Sequence, residues 1–187
     1  RWSLHGACGL YRQTLPLHLL SNCRNADELR EPLARHLVLG LRYKIADRAF
    51  LSVEGYDKDY RHMPLTPEDP GIFVMDGAVN FNYYQTYAVL VDRGRANARG
   101  ADVVLRTSGP RFAGVFSLTW MRSRFRDLEG VWRDRPNDNR FLVSAIGSWR
   151  PNEAWSFGLR GMAAGGTPYT PCDLERSRER RTWIIDP

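Results

Sequence analysis

The sequence predicts an all-β protein folded as an antiparallel up-and-down meander. Side chains alternate between apolar and polar along several runs, with the period of two that β-strands impose. Successive runs are joined by tight turns, such as Ser-Gly-Pro-Arg at 108–111 and Ala-Asp-Arg-Ala at 46–49. Long polar connections alternate with these turns. Together, the three observations favour neighbouring strands that run back and forth in chain order.

The alternation is clearest between residues 34 and 45. Leu37, Leu39, Leu41, Tyr43 and Ile45 fall on one side, and His36, Val38, Gly40, Arg42 and Lys44 fall on the other. Similar runs bounded by turn residues predict seven strands, at 2–11, 34–45, 50–61, 95–107, 112–123, 140–150 and 154–164. One short helix is expected at 27–33, where Pro32 limits its length.

The connections between the predicted strands follow the order long, short, long, short, long, short. In an antiparallel meander, this order places every long loop at one end of the sheet and every tight turn at the other, as in outer-membrane β-barrels. The sequence therefore predicts a partial transmembrane β-barrel, comprising about seven strands of a larger barrel. The connection 62–94 is unusually long, which is typical of functional loops, and the pattern leaves open the boundaries of any extra hairpin strands within it.

Composition is compatible with this fold. The 187 residues are 43% hydrophobic and have a mean hydropathy of −0.46. No uninterrupted apolar run approaches the roughly 20 residues of a membrane-spanning helix, whereas transmembrane strands need an apolar residue only at every second position. The chain opens on Arg1 without a signal-like segment, and we interpret it as an excerpt of a longer protein.

Charge and cysteine usage exclude several function classes. The net charge of +6 comes mainly from arginine, but acidic residues are interleaved and no nucleic-acid-binding motif is present, so no nucleic-acid partner is predicted. Cys8, Cys23 and Cys172 lack metal-ligand spacing, and the histidines form no ligand pattern. We therefore predict no metal site and no cofactor. Whether any two of the cysteines pair remains open.

Several segments carry a resemblance to one protein family. They are GRANARGADVVL at 94–105, SLTWMRSRF at 117–125, DNRFLVSAIGSWRPNEAWSFGLR at 138–160 and GGTPYTP at 165–171. Upstream, GLYRQ at 9–13, ARHLVLGLRYKI at 34–45 and VEGYDKDY at 53–60 belong to the same series. In order and spacing, these segments resemble the later barrel strands of TonB-dependent outer-membrane receptors, and the resemblance spans nearly the whole chain.

The resemblance implies a barrel of roughly 22 strands closed around an amino-terminal plug. Residues 1–187 would then be a fragment of that barrel domain, with the plug and the closing strands absent. Such receptors lie in the bacterial outer membrane and take up a scarce ligand, siderophore-like or other, when the TonB complex acts on the plug. The expected partners are the TonB complex, outer-membrane lipid, lipopolysaccharide and a small-molecule ligand of unknown identity. The role implied is transport, not catalysis.

Within this interpretation, the long loops hold the candidate ligand contacts. Aromatic rings bury area at low entropic cost, and arginine suits an anionic ligand such as an iron chelate. The candidates are Phe81, Asn82, Tyr83, Tyr84 and Tyr87 in one loop, and Trp132, Arg133 and Arg135 in another. The competing interpretation is that these side chains only pack the loops or bind lipopolysaccharide phosphate.

Two other classes of protein stay open. A soluble antiparallel sandwich or a lipocalin-like binding module would bury the apolar residues of the strands in a dry core, namely Leu37, Leu39, Leu41, Phe116, Leu118, Phe157 and Leu159. An outer-membrane barrel enzyme would need a nucleophile constellation, and no GxSxG motif is present. Glu54 and Asp102 are expected to form ion pairs with Arg42, Arg106 or Arg160 rather than to act in acid–base catalysis.

Overall fold

The computed structural model of the chain describes residues 1–68, 71–79, 87–168, 174, 175 and 178. The strands are β1 (Trp2–Arg12), β2 (Leu33–Ala46), β3 (Ala49–Leu65), β4 (Val91–Ser108), β5 (Phe112–Arg126), β6 (Trp132–Asp134), β7 (Phe141–Trp149) and β8 (Phe157–Ala164). Two short helices, α1 (Leu17–Asn22) and α2 (Val74–Val79), and a 3-10 turn (Ala26–Glu28) lie in the long connections.

All the strands belong to one antiparallel sheet. Its order is β1-β2-β3-β4-β5-β7-β8, and the three-residue β6 pairs with the end of β5. Every strand in this path lies beside its neighbour in chain order, so the predicted all-β up-and-down meander is confirmed. In the described residues the sheet is not closed, and β1 and β8 form its edges. This arrangement is consistent with the predicted partial barrel.

The seven predicted strands all occur, but two are considerably longer than expected. β3 continues to Leu65 and β4 begins at Val91, so the hairpin between them extends well into the connection 62–94. β6 was missed because its three residues carry no alternation. The helix expected at 27–33 was wrong: α1 begins directly after Pro16, and only the 3-10 turn lies near the expected position. Among the described residues, no helix is long and apolar enough to cross a membrane.

The pairing register gives the sheet two chemically different faces. Residues paired across neighbouring strands share a face, so Leu37 of β2 lies beside Cys8 and Asp57, and Leu118 of β5 lies beside Val103 and Val143. We call this side the apolar face. The opposite side, which includes His36, Val38, Glu54, Asp102 and Thr119, is the polar face.

A bulge near the end of β3 builds a small core at the long-loop end of the polar face. The β3–β4 register shifts between Arg61 and Met63, and the intervening His62 has φ of 55°. The extra residue reverses the alternation of side chains between the two faces. Met63 therefore packs in the same cluster as residues of the polar face. The cluster consists of Met63, Leu65, Phe73, Ala96 and Phe125, with Tyr60, Met75, Val91 and Leu128 against it. It anchors the segment 71–79 to the sheet.

A glycine on β4 makes this bulge possible. A Cβ atom at Gly94 would lie 2.5 Å from the Met63 carbonyl oxygen and 2.9 Å from Leu65 Cγ. We therefore expect Gly94→Ala to lower the free energy of unfolding by about 1–3 kcal/mol, because backbone must shift to admit the methyl group. Chemical denaturation measures the change. Gly158→Ala on β8 is the matched control, since a Cβ there meets nothing within 4 Å. Equal losses in both variants would contradict the steric argument.

Candidate ligand-capture surface at the long-connection end

The long connections pack together at one end of the sheet. We call this region the loop cluster: the described residues of 13–32, 66–90 and 127–140. Its apolar centre contains Leu19 after β1 and Val74 and Leu90 after β3, together with the buried thiol of Cys23. Cys23 and the exposed Cys8 are both free, and Cys172 lies outside the described residues. The cluster thus joins connections that are far apart in the sequence.

An ion pair between Arg135 and Asp76 ties the third connection to the second. Arg135 Nε lies 3.2 and 3.1 Å from the two Asp76 carboxylate oxygens, and Nη2 also donates to Oδ1. The Asp76 side chain is 6% exposed and that of Arg135 is 22% exposed. The guanidinium also lies 4.8 Å from the centroid of the Phe73 ring, which packs on Phe125. Arg135 therefore fixes α2 over the polar face of the sheet.

A second ion pair shapes the loop between β5 and β6. The side chain of Asp127 is fully buried. Its carboxylate accepts hydrogen bonds from Arg133 Nε at 2.7 Å and from the Val131 amide at 2.8 Å. Burial acts to raise the pKa of Asp127, but the hydrogen bonds from Arg133 and Val131 and the charge of Arg133 outweigh burial, so this pKa lies below its ordinary value. The ionised carboxylate is the form that holds the loop.

The lowered pKa predicts an acid-sensitive loop. A carboxyl group whose pKa is lowered in the folded state stabilises that state at pH values above its unfolded-state pKa of 3.8. This stabilisation is lost as the pH falls through the folded-state pKa. We expect hydrogen-exchange protection of the Val131 amide to decrease on acidification from about pH 6 to about pH 3, after correction for intrinsic exchange. Asp127→Asn should give low protection throughout. Protection that is unchanged by acid in the native chain would refute this role.

The side-chain amide of Asn25 links the first long connection to the second. Asn25 Nδ2 donates to the Leu90 carbonyl at 2.8 Å, and its Oδ1 accepts from the Leu90 amide at 3.2 Å. The Arg24 amide also donates to the Ala88 carbonyl at 3.0 Å. The Asn25 side chain thus bonds both backbone groups of Leu90, as a residue of a paired strand would. Nothing in the local sequence identifies this role, because Leu90 lies 65 residues away.

The structure places four of the eight predicted site residues. Tyr87 is half-buried against the apolar centre of the loop cluster. Trp132 is exposed, with the Arg124 guanidinium 5.6 Å from its ring centroid. The guanidiniums of Arg133 and Arg135 bind the carboxylates described above, so both hold loop structure. The remaining candidates, Phe81, Asn82, Tyr83 and Tyr84, lie outside the described residues. Trp132 is thus the most accessible of the four.

A cationic cleft that the sequence did not single out opens beside the loop cluster. It is lined by Arg30, Arg61, His62, Asp92, Arg93, Gly94 and Arg95. Asp92 binds Arg30 at 2.6 Å, and Arg61 binds Asp59 at 3.0 Å, whereas Arg93 and Arg95 form no ion pair with any described residue. The cleft therefore carries a surplus of positive charge, which favours an anionic group. Its residues come from two strands, β3 and β4, and from the connection before β2, so local sequence patterns do not reveal it.

On the polar face, a row of side chains crosses β1 to β5. His5 Nε2 lies 3.0 Å from Glu54 Oε2, and Thr119 Oγ1 donates to Asp102 Oδ1 at 2.6 Å. Gly40 lies between His5 and Glu54 in the register and leaves room for the imidazole. The expected pairing of Glu54 and Asp102 with arginines was wrong, because His5 and Thr119 reach them directly along the same lateral row.

Exposed aromatic and guanidinium groups lie beside the loop cluster at this end of the sheet. The carboxylates described above are engaged with arginine, histidine or hydroxyl partners. Comparison of the chain with models of known protein families finds no match. Comparison with characterised proteins finds none either.

Proposed function

We propose that the chain forms part of the barrel wall and outer loops of a TonB-dependent receptor in the bacterial outer membrane, which takes up a scarce ligand through a plugged barrel. The apolar face of the sheet contacts lipid, the polar face lines the lumen, and the loop cluster faces the exterior. A plug elsewhere in the protein responds to the TonB complex. The support comes from the apolar face of the sheet and from the resemblance of the strand sequences to that family.

The observation that supports this proposal most strongly is an uncovered apolar band that has the same length on β2 and on β5. On β2 the apolar face holds Leu37 to Ile45, and on β5 it holds Phe112 to Trp120. Each stretch is nine residues long, and a transmembrane strand needs about 9–11 residues. Both stretches end at arginine, Arg35 and Arg122, on the side of the long connections. Apolar stretches of similar length that end at charged residues are what a bilayer of limited thickness requires.

Exposure of this band favours a membrane wall over a sandwich formed by this chain alone. The sandwich alternative requires the apolar strand residues to be buried in a dry core. Leu37, Leu39 and Leu159 are instead 55%, 60% and 79% exposed, and no second layer of described residues covers them. Contiguous apolar surface of this kind is costly in water and marks a contact with lipid or protein.

Ligand capture is assigned to the end of the sheet where the long connections lie. Trp132 offers an exposed ring, and the cationic cleft offers Arg93, which has no carboxylate partner among the described residues. These groups suit an anionic chelate with a flat or apolar part. Tyr87 supports the loop by packing. Phe81, Asn82, Tyr83 and Tyr84 remain proposed contacts in the same connection.

A pair of adjacent labels tests the membrane assignment. Leu39→Cys places a thiol on the apolar face, and Val38→Cys places one on the polar face of the same strand. Both are made in a background that lacks Cys8, Cys23 and Cys172, and each is labelled with an environment-sensitive fluorophore. In outer-membrane preparations, we expect brominated lipid to quench the label at position 39 and not that at position 38. Equal quenching at both positions, or none at 39, would overturn the proposed function.

A further inference from the structure

Five arginines lie together on the apolar face, directly beyond the apolar band. We call them the arginine patch: Arg95, Arg99, Arg122, Arg124 and Arg126. The β4–β5 register sets Arg95 directly opposite Arg126 and Arg99 directly opposite Arg122, and it sets Arg124 opposite Asn97. On β3, Arg61 lies beside Arg95 in the same lateral row. Two neighbouring strands thus present two pairs of opposed like charges on one face.

Opposed like charges on a sheet destabilise it unless another charge compensates. Arg122 is 4.0 Å from Asp134, but Asp134 is bound more closely by Arg140, at 2.6 Å. Arg126 donates to the Gly130 carbonyl, which carries no net charge. In the described part of the chain, the buried Nε of Arg122 has no hydrogen-bond partner. The protein therefore compensates the charge of Arg122 and Arg126 incompletely.

The β4 arginines are also incompletely compensated. Asp57 lies opposite Arg99 on β3, but its closest cation is Arg35, at 3.8 Å, and it also accepts from Asn97 at 3.3 Å. Neither Arg95 nor Arg99 has a carboxylate within ion-pair distance among the described residues. A phosphate placed between the two strands would remove the repulsion, because guanidinium groups bind phosphate oxygens in a bidentate manner.

The position of the patch specifies the rest of the ligand. The next pair along β4 and β5 on the same face is Ala101 with Trp120, followed by Val103 with Leu118 and Leu105 with Phe116. An anion bound by the arginine patch is therefore in line with an apolar track along the same two strands. A molecule that fits both parts carries a phosphate at one end and hydrocarbon chains at the other.

We propose that the arginine patch binds the phosphorylated headgroup of a membrane lipid whose acyl chains lie along Leu105, Phe116 and Leu118. This inference rests on the proposed function, because it assumes that the apolar face contacts lipid. The bound lipid contributes the missing negative charge at the loop end of the sheet. It stabilises the β4–β5 hairpin in the membrane and gives the wall a fixed position relative to the headgroup layer.

The test uses the complete protein in detergent and two lipids with identical acyl chains, phosphatidic acid and diacylglycerol, with inorganic phosphate as a third probe. Binding is measured by native mass spectrometry and by the shift in the thermal transition. The variant Arg99→Gln/Arg122→Gln removes one opposed pair. Arg111→Gln/Arg150→Gln removes the same charge from exposed turns at the other end of the sheet and is the matched control.

We expect phosphatidic acid to bind and stabilise the native protein more than diacylglycerol does. The Arg99→Gln/Arg122→Gln variant should lose about tenfold or more in affinity for phosphatidic acid, and the control should change less than about twofold. Without lipid, the patch variant should be at least as stable as the native protein, because a repulsive pair has been removed. A merely structural role for these arginines would instead lower its stability.

Three results would overturn the inference. They are equal stabilisation by diacylglycerol, equal stabilisation by inorganic phosphate alone, and unchanged binding of phosphatidic acid by the patch variant.

The labelling experiment separates this inference from the proposed function. If the Leu39→Cys label senses lipid but the lipid-binding tests fail, the lipid site is refuted and the proposed function stands. A protein whose label at position 39 does not sense lipid loses the proposed function itself.

Discussion

Leu118→Arg is expected to prevent most of the protein from inserting into the outer membrane. Leu118 lies on the apolar face inside the Phe112 to Trp120 stretch, two residues from its Trp120 end and between Val103 and Val143. An arginine on the lipid face costs about 2–4 kcal/mol at the bilayer midplane and less toward the interfaces. We therefore expect about 2 kcal/mol here, which corresponds to a loss of about 30-fold in the insertion equilibrium at about 1.4 kcal/mol per tenfold. The amount of folded protein in outer-membrane fractions, assayed by its heat-dependent mobility in gels, measures the effect.

The neighbouring residue supplies the control. Ser117 lies on the polar face, opposite Val104 and Ser144, so Ser117→Arg adds the same side chain to the proposed lumen side. We expect this variant to insert nearly as well as the native protein, because a lumen-facing arginine stays in water. If Ser117→Arg were as damaging as Leu118→Arg, or if Leu118→Arg had no effect, the assignment of the two faces would be wrong.

Arg135→Met is expected to release the loop cluster from the sheet. The substitution leaves the buried Asp76 carboxylate without its partner and removes the contact with Phe73. Loss of one member of a buried pair costs about 3–5 kcal/mol, and we expect the lower end because Arg135 retains some solvent contact. Hydrogen exchange of the Asp76 amide, which donates to the Phe73 carbonyl, should accelerate by about 100-fold, as about 3 kcal/mol of local stability implies.

Two further variants separate the ion pair from general damage. Asp76→Leu/Arg135→Met removes both charges and should recover much of the lost protection, because no uncompensated charge stays buried. Arg126→Met removes an exposed arginine whose guanidinium donates to a carbonyl, and it should change stability by less than about 0.5 kcal/mol. An Arg135→Met variant that exchanges at the native rate would show that Arg135 does not anchor α2.

The strand pattern could be predicted from the sequence because the signal is local. Alternation with a period of two fixes which side chains share a face, so residues 34–45 and 112–123 identify strands and their faces without further knowledge. The tight turns at 46–49 and 108–111 identify which strands are neighbours. Each of these features depends on fewer than about fifteen consecutive residues, the scale on which sequence periodicity is informative.

The loop cluster could not be predicted because its determinants are distant in sequence. Asp76 and Arg135 are 59 residues apart, and nothing near either residue indicates the other. The bulge at His62 depends on a left-handed residue that is not glycine, and it reverses the alternation on which strand prediction relies. For the same reason, the arginine patch emerges only from the β4–β5 register, which sets Arg99 opposite Arg122.

The number of strands in the sheet determines how its edges can be used. The path β1-β2-β3-β4-β5-β7-β8 contains seven strands, so its first and last members run in the same direction. Direct pairing of β1 with β8 would therefore be parallel, and an all-antiparallel cylinder cannot form from these seven alone. Closure demands an odd number of additional strands, which gives the even total that is typical of bacterial barrels.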